Sequence, residues 1–507
     1  MVRLFKPTSY RAGTIQAVAA TGIWKFLSFI NALLIAAYFG ISHETDIYFF
    51  LLLFGGILNG VITGLNSTAV IPEAMFLEEK QAGKGRDVLN FFFVIYAAGI
   101  VLLLLAGLLF PVELLSVCSH FSNEQLADHT LLIRLSMLFF GLQIVNTYLT
   151  AILEMHHRFA TALLTPLNAI MPLLCLLCFG RSAGIRSMIY GFLCAHAIQF
   201  VLLGKAMFGE LHWHFTFKRH AISSRLKHNL TSNIIQSVLS ILTSWLPIYL
   251  LSGMGMGLVS ALNYAKQLSD SPYEILIQRV ANLEKIQLTE HVSAGNWPQG
   301  NTNFLAINHF LLFLLTPLAV FSCFFAPEII VIFFKRGAFT TQDGLLAAAF
   351  LRPLLFVLLS TTTGALLTNV LSAARIWKEQ LPYGLISAIS FLVALPITMH
   401  FFGGLAYPYT LLAVHIFGFI LTYICLRRYT PLWNGPAILR QIGRLLSLNM
   451  IALVPAAVYG WYFAAPNPWL KVFTGGIIFM SALTGLTYYS GDLQFFIGQC
   501  LPPKKAN

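Results

Sequence analysis

Charge is scarce in this chain: of 507 residues only 10% are charged, while 57% are hydrophobic. A soluble domain carries about a quarter charged residues, so a water-surrounded globular fold is excluded. The net charge of +12 therefore has no folded soluble module through which to hold nucleic acid. Cysteine is thin as well, with seven dispersed residues. The one close pair, Cys175 and Cys178, lies in an apolar run of leucines and reads as packing. His156-His157 and His212-Trp213-His214 have no carboxylate or cysteine beside them to complete a metal site. No Walker loop, GxSxG, HExxH or dinucleotide fingerprint sits in a suitable setting. Covalent chemistry has no candidate residues, so neither an enzyme nor a cofactor is expected.

What the chain has is long apolar runs. Fourteen can be counted, from Thr14–Phe39 through Gly257–Asn282 to Trp469–Tyr489. Most approach the ~20 residues that cross a ~30 Å hydrocarbon core as a helix. None shows the two-residue alternation of a barrel strand. The expected fold is an all-α polytopic membrane protein with 14 transmembrane helices. Of 31 lysines and arginines, 22 fall in segments on the side of the N-terminus, and five (Arg181, Arg186, Lys335, Arg336, Lys471) fall on the other side. The positive-inside rule then makes both termini cytoplasmic and turns a basic face toward anionic membrane lipids. The first run is too long for a signal-peptide core and is expected to be retained as helix 1. The remaining basic residues, Lys25, Arg134, Lys266 and Arg352, lie within spans. Arg134 reads as a snorkelling residue near a helix end.

Charge inside a span is the strongest functional signal. Lys266, Asp270 and Glu274 are spaced by four, so a helix sets them on one face beside Asn263 and Gln267. Each such charge costs roughly 2.5–3.5 kcal/mol at bilayer depth, so this face is expected to line water or pair with other polar groups. Pro272 leaves open a helix break, with Glu274 already among headgroups. Helix 1 carries a stripe of Thr21, Lys25, Ser28 and Asn31. Helix 2 carries Asn59, Thr63 and Asn66, glycines that permit close packing or bending, and Asp46 at its outer end. Helix 7 has the longest stripe: Asn229, Asn233, Gln236, Ser240 and Thr243. Amides repeated along one face need a partner or water, so helices 1, 2, 7 and 8 are expected to wall a hydrated cavity, and helices 3 to 6 to be apolar scaffold.

The halves echo each other. Pro111 and Pro327, Arg134 and Arg352, and Arg158 and Arg375 occur in similar local contexts at offsets of 216, 218 and 217. Two six-helix lobes related by a pseudo-twofold axis along the membrane normal follow from repeats of the same orientation. The expected division is 1–208 for the N-lobe, 209–228 for a basic cytoplasmic linker, 229–428 for the C-lobe, and 429–507 for two further C-terminal helices and a tail.

Three patterns resemble the MurJ/MviN family of the MOP superfamily, the lipid II flippases of bacterial cell-wall synthesis. The opening from Thr21 through Lys25 to Phe39-Gly40 and Thr45-Asp46 is similar to that family's first two helices. Leu262-Asn263-Tyr264-Ala265-Lys266-Gln267-Leu268 followed by Pro272 is similar to its helix 8. Phe334-Lys335-Arg336-Gly337-Ala338-Phe339-Thr340 with Asp343 resembles its loop between helices 9 and 10. The resemblance implies an alternating-access flippase in the bacterial cytoplasmic (inner) membrane. Its substrate would be a polyprenyl-diphosphate-linked glycan, most simply peptidoglycan lipid II. On that reading Lys25, Ser28, Asn31, Asn59, Asn233, Gln236, Lys266 and Gln267 contact the headgroup, and Asp46, Asp270 and Glu274 gate or take a coupling ion. The sequence departs from the family where Lys25, Asn31 and Gln267 replace expected arginines, and no arginine remains in helix 2. Another lipid-linked oligosaccharide, or a non-transporting scaffold that recruits cell-wall or polymer enzymes, stays open. So does coupling to membrane potential, protons or sodium.

Overall fold

In a bilayer no water meets the backbone, so an apolar run must close its own hydrogen bonds as a helix. The computed structural model describes residues 10–81, 83–215, 224–430, 435–462 and 467–500. Every regular element among them is helical. Two compact units divide the chain, Met1–Ser260 and Ala261–Asn507.

The first unit contains α1 (Tyr10–Phe39), α2 (His43–Leu65), a π-helical turn at Asn66–Val70, α3 (Ile71–Lys80) and α4 (Lys84–Leu109). The short α5 (Pro111–Cys118) and α6 (Asn123–Asp128) follow, then α7 (Thr130–Met155), a 3-10 turn at Phe159–Leu164, α8 (Leu167–Ala183), α9 (Arg186–Glu210) and α10 (Ser224–Met254). Its core packs Val88, Leu89 and Tyr96 of α4 against Tyr148 and Ile152 of α7 and Leu203 of α9. The α8–α9 pair is drawn in at Gly191, where an added Cβ would lie 2.3 Å from the Pro172 backbone. Only glycine admits that approach.

The second unit begins within α11 (Leu258–Pro272), which passes through a π-helical turn at Tyr273–Ile277 into α12 (Gln278–Ser293). It continues as α13 (Trp297–Phe324), α14 (Ala326–Phe334), α15 (Thr341–Ala374), α16 (Trp377–Phe402), α17 (Ala406–Tyr429), α18 (Gly435–Tyr462), α19 (Pro468–Ser490) and α20 (Asp492–Cys500). Val320 and Phe325 pack against Ala452, Ala456 and Phe479 in a core shared by α13, α18 and α19.

Among the described residues thirteen helices are long and apolar enough to cross a membrane. The fourteenth expected span, Gly257–Asn282, runs through α11 and the π turn into the start of α12, and its charged and amide side chains remove it from any count by composition. Pro272 does not break it: the chain continues through the π turn. Beyond Pro272 the wider turn alters the register, so Glu274 does not simply extend the spacing that joins Lys266 and Asp270.

Several elements repeat between the units. A π turn follows the second long helix of the first unit and recurs in α11–α12 of the second. Short proline-led helices, α5 and α14, follow α4 and α13. Left-handed residues end α7 and α15, at His157 (φ 60°) and Arg375 (φ 58°), so the backbone pairs Arg375 with His157 and shifts the sequence match with Arg158 by one. The sequence repeat starts its second half at Asn229, yet α10 belongs to the first compact unit. The reason is local contact: the Trp245 indole donates to the Cys118 carbonyl at 2.8 Å, and the Ser252 hydroxyl accepts from the His120 N–H at 2.8 Å. Of the linker at 209–228, residues 216–223 lie outside the described residues.

Candidate functional site

In the first unit the polar stripe of α1 divides. Lys25 and Ser28 are half-buried, and the Lys25 ammonium lies 4.6 Å from the Trp24 ring centroid. Asn31 is buried, and its amide donates to the Ala169 carbonyl at 2.9 Å, tying α1 to α8. Its amide N–H is thus engaged in packing.

On α2, Gly56, Gly60 and Gly64 border open space, since an added Cβ there would meet nothing within 4 Å. These glycines do not pack a neighbour; with Asn59 and Thr63 they form an open face of small and polar groups. Gly55 does the packing, against the ring of Phe140. The side-chain oxygen of Asn59 accepts from the Thr147 hydroxyl at 2.7 Å, and that of Asn66 accepts from the Tyr96 hydroxyl at 3.0 Å. Thr147 was hidden because α7 reads as scaffold. Its neighbour Asn146, which donates to the His196 carbonyl at 2.8 Å, is the signal that could have shown a polar side to that helix.

Asp46 is 1% exposed and sits at the start of α11. Its carboxylate accepts from the Gly257 N–H at 2.5 Å, the Ser260 N–H at 2.8 Å and the Ser260 hydroxyl at 2.6 Å. The Ser260 hydroxyl also lies 2.9 Å from that of Thr45. A carboxylate here meets unsatisfied N–H groups and the positive end of the helix dipole. The structure thus brings Asp46 to a helix start and not to a lysine.

In the second unit Lys266 and Asp270 form an ion pair at 3.9 Å, one turn apart. Gln267 is half-buried, and its carbonyl accepts from Ser271. Glu274 lies in the π turn, half-buried. Tyr264 anchors this stretch: it is fully buried, with its ring 5.2 Å from Phe334 and 5.6 Å from Phe339. Between those phenylalanines the chain turns at Gly337 (φ 55°). Thr340 and Asp343 then cap α15 reciprocally, at 2.8 and 3.2 Å. The motif after helix 9 therefore folds a turn and docks it on Tyr264. Asn233 and Gln236 belong to α10, and their side chains lie outside the described residues.

Cationic and amide-bearing faces on helices that cross a membrane define a polytopic membrane transporter, whose work is binding and movement, not covalent catalysis. The chain belongs to the MurJ family: the family model described as lipid II flippase MurJ matches residues 35–479. A solved structure described as lipid II flippase MurJ in an inward closed conformation shares 20% identity, with a TM-score of 0.78, covering 94% of this chain and 99% of that one. An inward-facing multidrug resistance MATE family transporter of the MOP superfamily shares 14% identity, with a TM-score of 0.59, over 82% of this chain and 95% of that chain. An outward-facing structure of a MATE family transporter also shares 14%, with a TM-score of 0.54, over 84% and 97%. No curated protein sequence matches the chain.

Proposed function

We propose that this protein is an inner-membrane flippase that carries a polyprenyl-diphosphate-linked glycan, with peptidoglycan lipid II as substrate, from the cytoplasmic to the outer leaflet. The observation that carries this reading is the family match over residues 35–479. The side chains support it. A diphosphate needs cations, which Lys25 and Lys266 supply, and a sugar needs amide and hydroxyl partners, which Asn59, Gln267 and Ser28 offer. Alternating access is supported by the inward-facing and outward-facing transporters that share the fold. Both termini are cytoplasmic in this reading, as the basic residues require. Asp270 and Glu274 are the carboxylates proposed to take a coupling proton or sodium ion, and Asp46 to act in gating through the start of α11.

A second reading, transport of a different lipid-linked glycan, is favoured by lysine at 25 and amides at 31 and 267. Lysine is a point charge without the guanidinium fork, so headgroup recognition changes. Depletion of the protein in its native bacterium, with lipid II quantified in the cytoplasmic leaflet, separates the two. Accumulation with lysis is expected for lipid II export. Viable cells with normal lipid II and a missing surface polymer would replace it with the second reading.

A further inference from the structure

The second unit holds a cavity of about 530 Å³ among α13, α14, α15, α18 and α19. Three charged groups line it: Arg352 of α15, Lys471 of α19 and Glu328 of α14. Lys471 and Glu328 neutralise each other in a half-buried pair at 2.5 Å. Arg352 has no ion pair or hydrogen bond among the described residues, although it stands about three turns into a long apolar helix. The cavity therefore has an excess of one positive charge. Its walls are otherwise apolar, with Phe324 and Phe356, and Trp461 lies at its rim, 72% exposed. Tryptophan in that position is typical of the membrane–water interface.

These features specify the occupant. The guanidinium of Arg352, which is exposed and lines this cavity, matches the oxygens of a phosphate, with two parallel N–H donors for two acceptors. An excess charge of one fits a phosphodiester, whereas a monoester or diphosphate would bring surplus negative charge against Glu328. The volume suits a headgroup, and the apolar walls with an interfacial tryptophan suit the glycerol end of a lipid whose acyl chains remain in the bilayer. Glu328 is already paired with Lys471, so no carboxylate is left for the ammonium of a zwitterionic headgroup.

We propose that this cavity binds the phosphodiester of an anionic glycerophospholipid, with Arg352 gripping the phosphate. The site is separate from the cations assigned to the transported headgroup and from the basic face read in the sequence. Native mass spectrometry of the full chain, released from nanodiscs of equal phosphatidylglycerol and phosphatidylethanolamine, tests it. The intact protein should retain phosphatidylglycerol in preference. Arg352→Gln should lower that retention about ten-fold, as expected for a lost charge-assisted contact, and leave phosphatidylethanolamine unchanged. Glu328→Gln, which frees the Lys471 ammonium, should raise it. Equal retention by Arg352→Gln, or weaker retention by Glu328→Gln, overturns the proposal. The second variant decides the matter if the first does not fold. Millimolar inorganic phosphate should not displace the lipid; displacement would assign the site to free phosphate and overturn the lipid assignment.

Discussion

The Asp46 carboxylate takes three hydrogen bonds from the first turn of α11, and none of that is visible in the local sequence around it. A helical wheel places Asp46 in the first turn of α2, but its partners Gly257 and Ser260 are more than two hundred residues away. Removing the acceptor leaves the Gly257 and Ser260 N–H groups buried without it, and the Ser260 hydroxyl with Thr45 alone. Asp46→Ala should therefore lower stability by about 3–5 kcal/mol, and Ser260→Ala by about 1–2 kcal/mol. Thermal unfolding in detergent measures both, and their double variant should lose less than the sum because they share the contact. Glu284 poses a different problem. It lies beyond the Gly257–Asn282 span and is 1% exposed, and its carboxylate accepts from the Asn369 amide at 2.7 Å. Burial pushes its pKa up from the ordinary 4.5 to about 7, against the smaller opposing effect of that hydrogen bond. His309 on α13, an element packed against α12, pairs with Asp492 instead. Between pH 4.5 and 7 the unfolded carboxyl ionises while the folded one keeps its proton. Stability should then fall by about 3 kcal/mol over that window as pH rises, and level off above it. Glu284→Gln should flatten this segment of the pH–stability curve; a curve of unchanged slope would contradict the assignment.

Helices as elements were largely legible, since apolar runs near twenty residues leave few alternatives. What each polar face meets was less so. Lys266 and Asp270 emerged as the pair their spacing implied, because i and i+4 fix proximity on one helix whatever surrounds it. Asn31 did not declare its partner, because periodicity gives a face and not its neighbour, here α8. The π turns were also hidden: a proline reads as a break, yet Asn66–Val70 and Tyr273–Ile277 carry the helix past Pro72 and Pro272 without interruption. A π turn holds one residue more than the α-helical turn it replaces, and such turns gather at functional sites. Deletion of Ser67, in the first of them, should let the turn relax to α-helix and change stability by about 1 kcal/mol or less, whereas a single deletion in the middle of α4 should prevent folding by rotating one half of the helix out of its packing. Protein yield and the thermal midpoint report on both. Transport by the Ser67 deletion should fall even though the fold survives, because the open glycine face of α2 then turns relative to α3.

At the scale of the molecule, a scarcity of charge makes each intramembrane cation informative, and the balance between transporter and scaffold rests on them. A scaffold gains nothing from a lysine inside a span and pays for it in insertion energy. A flippase for a diphosphate-linked substrate needs that lysine. Lys266 held against Asp270 on α11 and Lys25 beside Trp24 on α1 are therefore the residues whose loss tells most. Lys25→Ala and Lys266→Ala should each lower flipping of fluorescent lipid II in proteoliposomes by about ten- to a hundred-fold, the range for one charge-assisted contact to a phosphate, while membrane insertion and thermal midpoint stay near those of the intact protein. Lys25→Arg should keep activity or raise it, because the fork adds a second hydrogen bond to the same charge. Asp270→Asn separates pairing from binding: if Asp270 only restrains Lys266, the amide variant frees the ammonium and binds the headgroup more tightly at the expense of release, so substrate affinity rises and turnover falls. Normal flipping by both lysine-to-alanine variants would remove the diphosphate role from these two lysines, whereas no flipping by the intact protein would leave the scaffold as the surviving reading.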